Sequence, residues 1–133
     1  MRAEKVINAL LTADAGVTAL VSNRVYPVSL PQNTVMPALI YEVVSAVEML
    51  PIDALAGQQL VDTRVQVTAL GKNYSDVKAL LEAARVALLF KSGSIAGVRV
   101  LGITRDMVGP DGRDYDLGLY SQSIDFKVRH YET

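Results

Sequence analysis

The fold is decided by residues 61–69, which read VDTRVQVTA. Apolar or small side chains occupy every second position, and polar or charged side chains lie between them. Successive side chains of a strand point to opposite faces, so this alternation predicts a half-buried strand with one face in the core and one in water. The core-facing set is Val61, Thr63, Val65, Val67 and Ala69.

Two helices are predicted at the start of the chain. An amphipathic helix is expected over about residues 2–13, and Glu4 and Asn8 argue against reading this segment as a signal peptide. Asp14 can cap a short second helix that ends at Ser22. One apolar stripe serves both helices and comprises Ala3, Val6, Ile7, Leu10, Leu11, Val17, Leu20 and Val21.

Two extended segments lie between these helices and the half-buried strand. Residues 24–28 read RVYPV, and Pro27 together with Pro31 confines them to an edge strand or a strand end, because proline has no N–H to donate. Residues 38–46 are apolar on both faces except at Glu42, which predicts a strand that is largely covered.

A helix and two more strands follow. Gly71 ends the half-buried strand, and Asn73 with Asp76 three residues later resembles a capping box that opens the main helix. Strands are predicted over residues 97–105 and 119–131. The main helix carries an apolar stripe of Val77, Leu80, Leu81, Ala84, Leu88 and Leu89. In the last strand one face is formed by Tyr120, Ile124, Phe126 and Val128.

These elements predict a single α+β domain over residues 1–133. Its sheet is antiparallel or mixed, has about five strands, and is packed by the N-terminal helix pair and the main helix in the order α-α-β-β-β-α-β-β. A chain of 133 residues suits one hydrophobic core, and half of its residues are hydrophobic while a fifth are charged. One domain is therefore expected.

Composition excludes several classes of function. Thirteen basic and fourteen acidic side chains leave almost no net charge, so no nucleic-acid specificity and no anionic membrane partner are expected. The longest apolar run, residues 86–90, is too short to cross a bilayer. Cysteine is absent, which excludes disulfides, thiolate metal sites and cysteine nucleophiles.

Candidate chemical groups do not form a familiar site. The single histidine, His130, is expected at the surface or in strand pairing, and on a strand it faces away from Ser123 and Asp125, so no local triad is predicted. A zinc site is not expected, because the chain has one histidine and no cysteine. The glycines match no nucleotide-binding pattern. A calcium loop is disfavoured because the spacing differs from that of an EF-hand, although four aspartates are close together: Asp106, Asp111, Asp114 and Asp116. We therefore expect no catalytic residues, no cofactor and no metal.

Two long connections are better candidates for function. Residues 47–60 are unusually apolar for a loop, and residues 106–117 are too long for a tight hairpin. We expect both to be mobile in the isolated chain and to become ordered against other protein chains. The candidate interaction residues are Met49, Leu50, Ile52, Leu55, Met107, Val108, Arg113 and Tyr115.

Several short stretches resemble the tail-completion, or tail-terminator, proteins of long-tailed phages and prophages. A helix runs into RVYP at residues 24–27, then LPQ at 30–32 and PALIY at 37–41. Further along come RVQV at residues 64–67 and SIDFKV at 123–128. The resemblance spans nearly the whole chain and rests on the order and spacing of core and turn residues.

The resemblance implies a structural virion protein that forms a ring, commonly sixfold, on the head-proximal end of the tail tube. Such a ring stops tube polymerisation and joins the tail to the head connector, so the implied partners are other copies of this chain, the tail tube protein and the connector protein. The implied location is the bacterial host cytoplasm during assembly and then the virion tail. Alternatives are a head-to-tail adaptor or minor tail protein and, in a different class, a small-ligand-binding regulatory α+β domain.

Overall fold

The computed structural model describes residues 3–49 and 59–132, and residues 1–2, 50–58 and 133 lie outside the description. Asp14 caps the second helix as expected, because its carboxylate accepts a hydrogen bond from the Val17 N–H at 3.1 Å. The order of helices and long strands matches the predicted α+β class. The helices are α1 (Ala3–Ala13), α2 (Ala15–Val21) and α3 (Tyr74–Leu88).

The sheet is mixed and has seven strands where about five were expected. The strand order is β1-β2-β3-β7-β5-β4, with β6 also paired to β7, and only the β1–β2 pair is parallel. The extra strands, β4 and β6, have three residues each, too few for a periodic signal. The strands are β1 (Val25–Pro27), β2 (Ala38–Met49), β3 (Gln59–Gly71), β4 (Gly93–Ile95), β5 (Val98–Val108), β6 (Gly112–Asp114) and β7 (Leu119–Glu132).

The core lies between one face of the sheet and the three helices. Alternation in β3 is confirmed, since its odd-numbered residues from 61 to 71 are buried and the even-numbered ones are half-buried. The predicted stripe of α3 packs against this face, where Leu80, Ala84 and Leu88 are fully buried. Phe126 on β7, paired with Val65, is the largest fully buried side chain among the described residues. The opposite face of the sheet carries no helix among the described residues.

His130 is buried, so the expectation of a surface position is wrong, while the alternative of strand pairing is confirmed. It lies on β7 between Val61 of β3 and Val100 of β5, and its side chain is 0% exposed. Its Nε2 forms a 2.9 Å hydrogen bond with the Thr63 hydroxyl. The even register that places Phe126 and Val128 in the core continues to residue 130, which explains the burial.

Strand β2 departs from its predicted coverage. It continues to Met49, three residues past the expected end, and its buried part is confined to Ala38 and Leu39. β1 stops at Pro27, opposite Tyr41, so the outer edge of β2 beyond that point has no neighbour among the described residues. Apolar side chains on both faces of β2 therefore do not show that other parts of the same chain cover this strand.

The segment 106–117 is not the long loop that the sequence predicted. β5 extends to Val108 and β6 pairs with β7, so that residues 98–132 form one irregular hairpin whose turn falls near residues 115–118. The Gly109 N–H donates to the Ser123 carbonyl at 2.8 Å, and the Gln122 amide donates to the Gly109 carbonyl at 2.8 Å. The expectation of a long loop is therefore wrong, while the mobility of this segment in the isolated chain stays a prediction.

A polar anchor ties the same segment to the first turn of α3. Lys78 Nζ donates to a carboxylate oxygen of Asp111 and to the side-chain oxygen of Gln122, and the Tyr74 hydroxyl donates to Asp111 at 3.0 Å. The hydrogen bond from Lys78, followed by that from Tyr74, lowers the pKa of Asp111 below its usual value. The anchor therefore holds the hairpin above helix α3 when Asp111 is ionised.

The packing of α3 predicts the effect of a core truncation. Leu81→Ala removes a buried side chain between helix and sheet and should lower the free energy of unfolding by roughly 2–5 kcal/mol. Val86→Ala, at an exposed position of the same helix, should change it by less than about 0.5 kcal/mol. Urea unfolding measures both values, and an unchanged midpoint for Leu81→Ala would show that the leucine does not face the core.

The anchor predicts a pH dependence of the hairpin. Because folding lowers the pKa of Asp111, its stabilising contribution is complete above the ordinary aspartate value of about 4 and is lost as pH falls through the lower, folded-state value. Amide signals of Gly109 and of residues 111–114 followed by NMR should titrate below that ordinary value. Lys78→Gln should raise the midpoint toward it, whereas Asp116→Asn should not. Equal midpoints in the wild type and Lys78→Gln would contradict the anchor.

Candidate interaction surfaces

The predicted interaction residues lie in three separate places. Met49 is the last described residue of β2 and is half-buried. Met107 and Val108 are exposed near the end of β5, and Arg113 and Tyr115 are exposed in and just after β6. The remaining three candidates lie outside the described residues: Leu50, Ile52 and Leu55.

Two of these places are at opposite ends of the sheet. Met49 pairs with Leu60 at the start of β3, whereas Tyr120, just after the hairpin turn, pairs with Gly71 at the end of β3. β3 has thirteen residues, so its two ends are roughly 40 Å apart. The structure therefore does not bring the two predicted segments together, and one partner of ordinary size would contact only one of them.

The hairpin end forms a cluster of aromatic and cationic side chains. The Arg113 guanidinium lies 4.9 Å from the ring centre of Tyr115 and 4.7 Å from that of Tyr120, and it donates a 2.8 Å hydrogen bond to the Tyr120 hydroxyl. Tyr74 packs edge-on against Tyr120 at 6.0 Å. Tyr115 is 82% exposed, although it contacts Arg113, which is held by its hydrogen bond to Tyr120. Tyrosine and arginine held in this way are typical of protein-binding surfaces.

One lateral edge of the sheet is the outer side of β2. Past Tyr41, residues 42–49 have no strand partner on this side within the described part of the chain. Val44, at a break in the β2–β3 register, is 50% exposed, and Val47 is 62% exposed. Glu42 and Glu48 are exposed and form no ion pair within residues 3–49 and 59–132. This edge is apolar and acidic.

The opposite lateral edge is the outer side of β5. β4 covers only residues 98–100, and the Phe90 N–H donates to the Ile103 carbonyl at 2.8 Å. Beyond Ile103 no strand among the described residues pairs with this side of β5. Leu101, Met107 and Val108 are between 42% and 51% exposed. Residues 104–108, unpaired on this side, include Met107 and Val108, and an unpaired edge with apolar side chains invites pairing with another chain.

The helix-free face of the sheet is covered by ion pairs. Arg64 contacts Asp106 at 2.8 Å and Asp125 at 3.0 Å, and Arg129 contacts Asp62 at 2.8 Å. The hydrogen bond from Arg129 lowers the pKa of Asp62, so this pair stays ionised at neutral pH. A shallow cavity of about 350 Å³ on this face is lined by Asp62, Leu101, Gly102, Thr104, Lys127 and Arg129. Arg129 in this lining is paired with Asp62, whereas Lys127 lies 3.6 Å from Asp106, which is not part of the lining.

The described residues do not assemble a chemical site. Ser123 shares a 2.7 Å hydrogen bond with Thr68 on the helix-free face, while His130 is buried on the other face, so these residues and Asp125 do not converge. Within the same part of the chain, no group of three or more histidine or carboxylate side chains could hold a metal ion. None of the described helices has the length and apolar character needed to span a bilayer.

Sequence reasoning missed the exposed apolar residues of the two sheet edges. Val44 and Leu101 were not among the candidates, because residues 38–46 were interpreted as a covered strand and residues 97–105 as an ordinary one. Val47 lies in the candidate segment 47–60 but was not itself selected. The signal was present in β2, where valines occur on both faces of a strand that ends in an apolar connection. Which strand lies at an edge is a property of the topology, and the local sequence does not report it.

Comparison with known proteins places the chain in a family. The profile of the family described as tail completion protein gp17 matches residues 5–131. Among solved structures, a chain from the virion of a native gene transfer agent particle has a similar fold, with a TM-score of 0.66 and 18% sequence identity over 96% of this chain and 92% of that chain. No curated protein sequence matches. Because the profile covers nearly the whole chain, the protein belongs to the tail completion protein gp17 family and is a structural protein of the phage tail.

Proposed function

We propose that the protein forms a ring on the head-proximal end of the tail tube, stops tube polymerisation there and joins the tail to the head connector. The family match and the arrangement of exposed surfaces support this proposal. The observation that carries it is the separation of contact surfaces, with two ends of the sheet roughly 40 Å apart and two unpaired lateral edges between them. A ring subunit between tube and connector needs contacts to its two neighbours and to both partners.

The two ends differ in chemistry, as contacts to two different partners require. At the hairpin end, Arg113 lies 4.9 Å from the ring centre of Tyr115 and 4.7 Å from that of Tyr120, and the contact between Lys78 and Asp111 holds the segment in place. At the other end, Met49 leads into the apolar residues 50–58. A rigid aromatic surface loses little side-chain entropy on binding, so the hairpin end suits a specific docking contact.

We also propose that the role is structural rather than catalytic. His130, the only histidine of the chain, lies in the core and shares a hydrogen bond with Thr63. The carboxylates of Asp62 and Asp106 on the helix-free face are paired with arginine or lysine side chains. The hydrogen bond from Arg129 lowers the pKa of Asp62, so this carboxylate is a weak general base at neutral pH.

The ring proposal is tested by removing the protein during phage assembly. Assembly without it should give free heads and separate tail tubes of excessive and variable length. Adding the purified protein should restore the joining of tails to heads. Electron microscopy measures tube length and joining separately. Tubes of normal length that fail to join would indicate an adaptor, and normal complete particles would reject both roles.

The hairpin end predicts a specific defect in joining or capping. Tyr115→Ala leaves the sheet intact, since Tyr115 is 82% exposed, but should weaken docking at least roughly tenfold, as expected for an interface anchor. Val86→Ala, on an exposed part of α3, is the matched control and should dock normally. The amount of protein needed for half-maximal restoration of joined particles measures both. Equal amounts for the two variants would remove the hairpin end from the interface.

A further inference from the structure

We infer that neighbouring subunits associate by continuing the β-sheet, with the outer edge of β2 in one copy paired to the outer edge of β5 in the next. This inference rests on the proposed ring and names the contact that closes it. It is carried by the two unpaired edges, by their opposite charges and by the direction of the four long strands.

Strand direction favours this contact. From β2 through β3 and β7 to β5, every neighbouring pair is antiparallel, so β2 and β5 run in opposite directions within one subunit. Rotation about a ring axis keeps all subunits in the same orientation. β5 of one subunit then meets β2 of the next in antiparallel fashion, which is the slightly more stable ladder. An odd number of long strands would have forced a parallel junction.

Charge selects a head-to-tail junction over a symmetric dimer. Residues 42–49 of β2 contain two acidic side chains, Glu42 and Glu48, and no basic one. The edge of β5 offers Arg105, which has no ion pair within the described residues, while Asp106 is already held by Arg64 at 2.8 Å. Two β2 edges would repel each other, whereas β2 against β5 brings opposite charges together. Such heterologous contacts form a ring when the rotation between neighbouring subunits closes, and open filaments when it does not.

A specific register satisfies both faces of the joined sheet. Ser45 pairs with Arg64 and Met107 pairs with Asp125, so both side chains lie on the helix-free face. Val44 and Asp106 are the extra residues at the register breaks of β2 and β5. If Ser45 lies opposite Met107 of the neighbour and these two residues are left out of the pairing, Val43 comes opposite Val108 on the helix-covered face and Arg105 comes diagonally next to Glu48. Matching faces in this way keeps apolar side chains together across the junction.

An open groove lies next to the position that Val108 of the neighbouring subunit takes in this register. The groove has a volume of about 320 Å³, begins where β1 ends, and includes Val43 itself. Val108, 46% exposed in the isolated chain, arrives opposite Val43 and would contact this surface. The groove is lined by Glu4, Pro27, Val28, Tyr41, Glu42 and Val43.

Disulfide cross-linking tests the junction directly, because the chain contains no cysteine. Oxidising a concentrated mixture of Ser45→Cys and Met107→Cys proteins should give dimers at least about tenfold faster than either protein alone, since opposed cysteines on one face come within bonding distance. The control mixture replaces Ser45→Cys with Ala46→Cys, an exposed neighbour on the other face, and should react slowly. A double variant, Ser45→Cys with Met107→Cys, should give a ladder that ends at the ring.

The outcomes separate this inference from the proposed ring. Rings seen by electron microscopy without fast cross-linking would overturn the edge junction and leave the ring proposal standing. Fast cross-linking into open filaments would support the junction and contradict ring closure. Equal rates for the mixed and the separate proteins would overturn the head-to-tail pairing. Charge exchange gives a second readout. Glu48→Arg in the Ser45→Cys protein, or Arg105→Glu in the Met107→Cys protein, should slow cross-linking of the mixture. When both substitutions are present, one in each protein, the rate of cross-linking should be restored.

Discussion

The structure depends on the pairing of β3 with strands on both of its sides along nearly its whole length. β3 contacts β2 through residues 60–70 and β7 through all thirteen of its residues, so both long hairpins are aligned by one strand. Its alternation fixes which face receives the helices, and a slip of one residue would turn Val65 and Val67 toward water. The edges and ends proposed as contacts are positioned by this single ladder.

Much of the fold follows from local sequence patterns. The alternation in β3, the faces of β7 with Phe126 in the core, and the apolar stripe of α3 are all confirmed because each depends on periodicity along one element. The three-residue strands β4 and β6 could not be predicted, since they exist only through their pairing with β5 and β7. The segment 106–117 was misassigned for the same reason. Its glycines and aspartates indicate a loop locally, while Lys78 donates a hydrogen bond to Asp111 and Gln122 donates one to the Gly109 carbonyl.

The candidate surfaces were accessible to sequence reasoning only in part. Met107, Val108, Arg113 and Tyr115 were chosen because they flank an apparent loop, and their exposure is consistent with a contact role that remains a proposal. The burial of His130 and the exposure of Val47 both depend on which strands neighbour them. Exposed edges normally endanger a soluble protein, and both free edges here carry a register break that limits uncontrolled pairing. Retaining apolar side chains on such edges is reasonable for a subunit whose neighbours cover them.

The most direct measurement is a cryo-electron microscopy reconstruction of the protein assembled on tail tubes. The account predicts continuous antiparallel density from β5 of one subunit to β2 of the next, with the hairpin end and the Met49 end facing opposite partners along the tail axis. Subunits joined through their helices, or a hairpin end that contacts a neighbouring subunit instead of the tube or the connector, would contradict it.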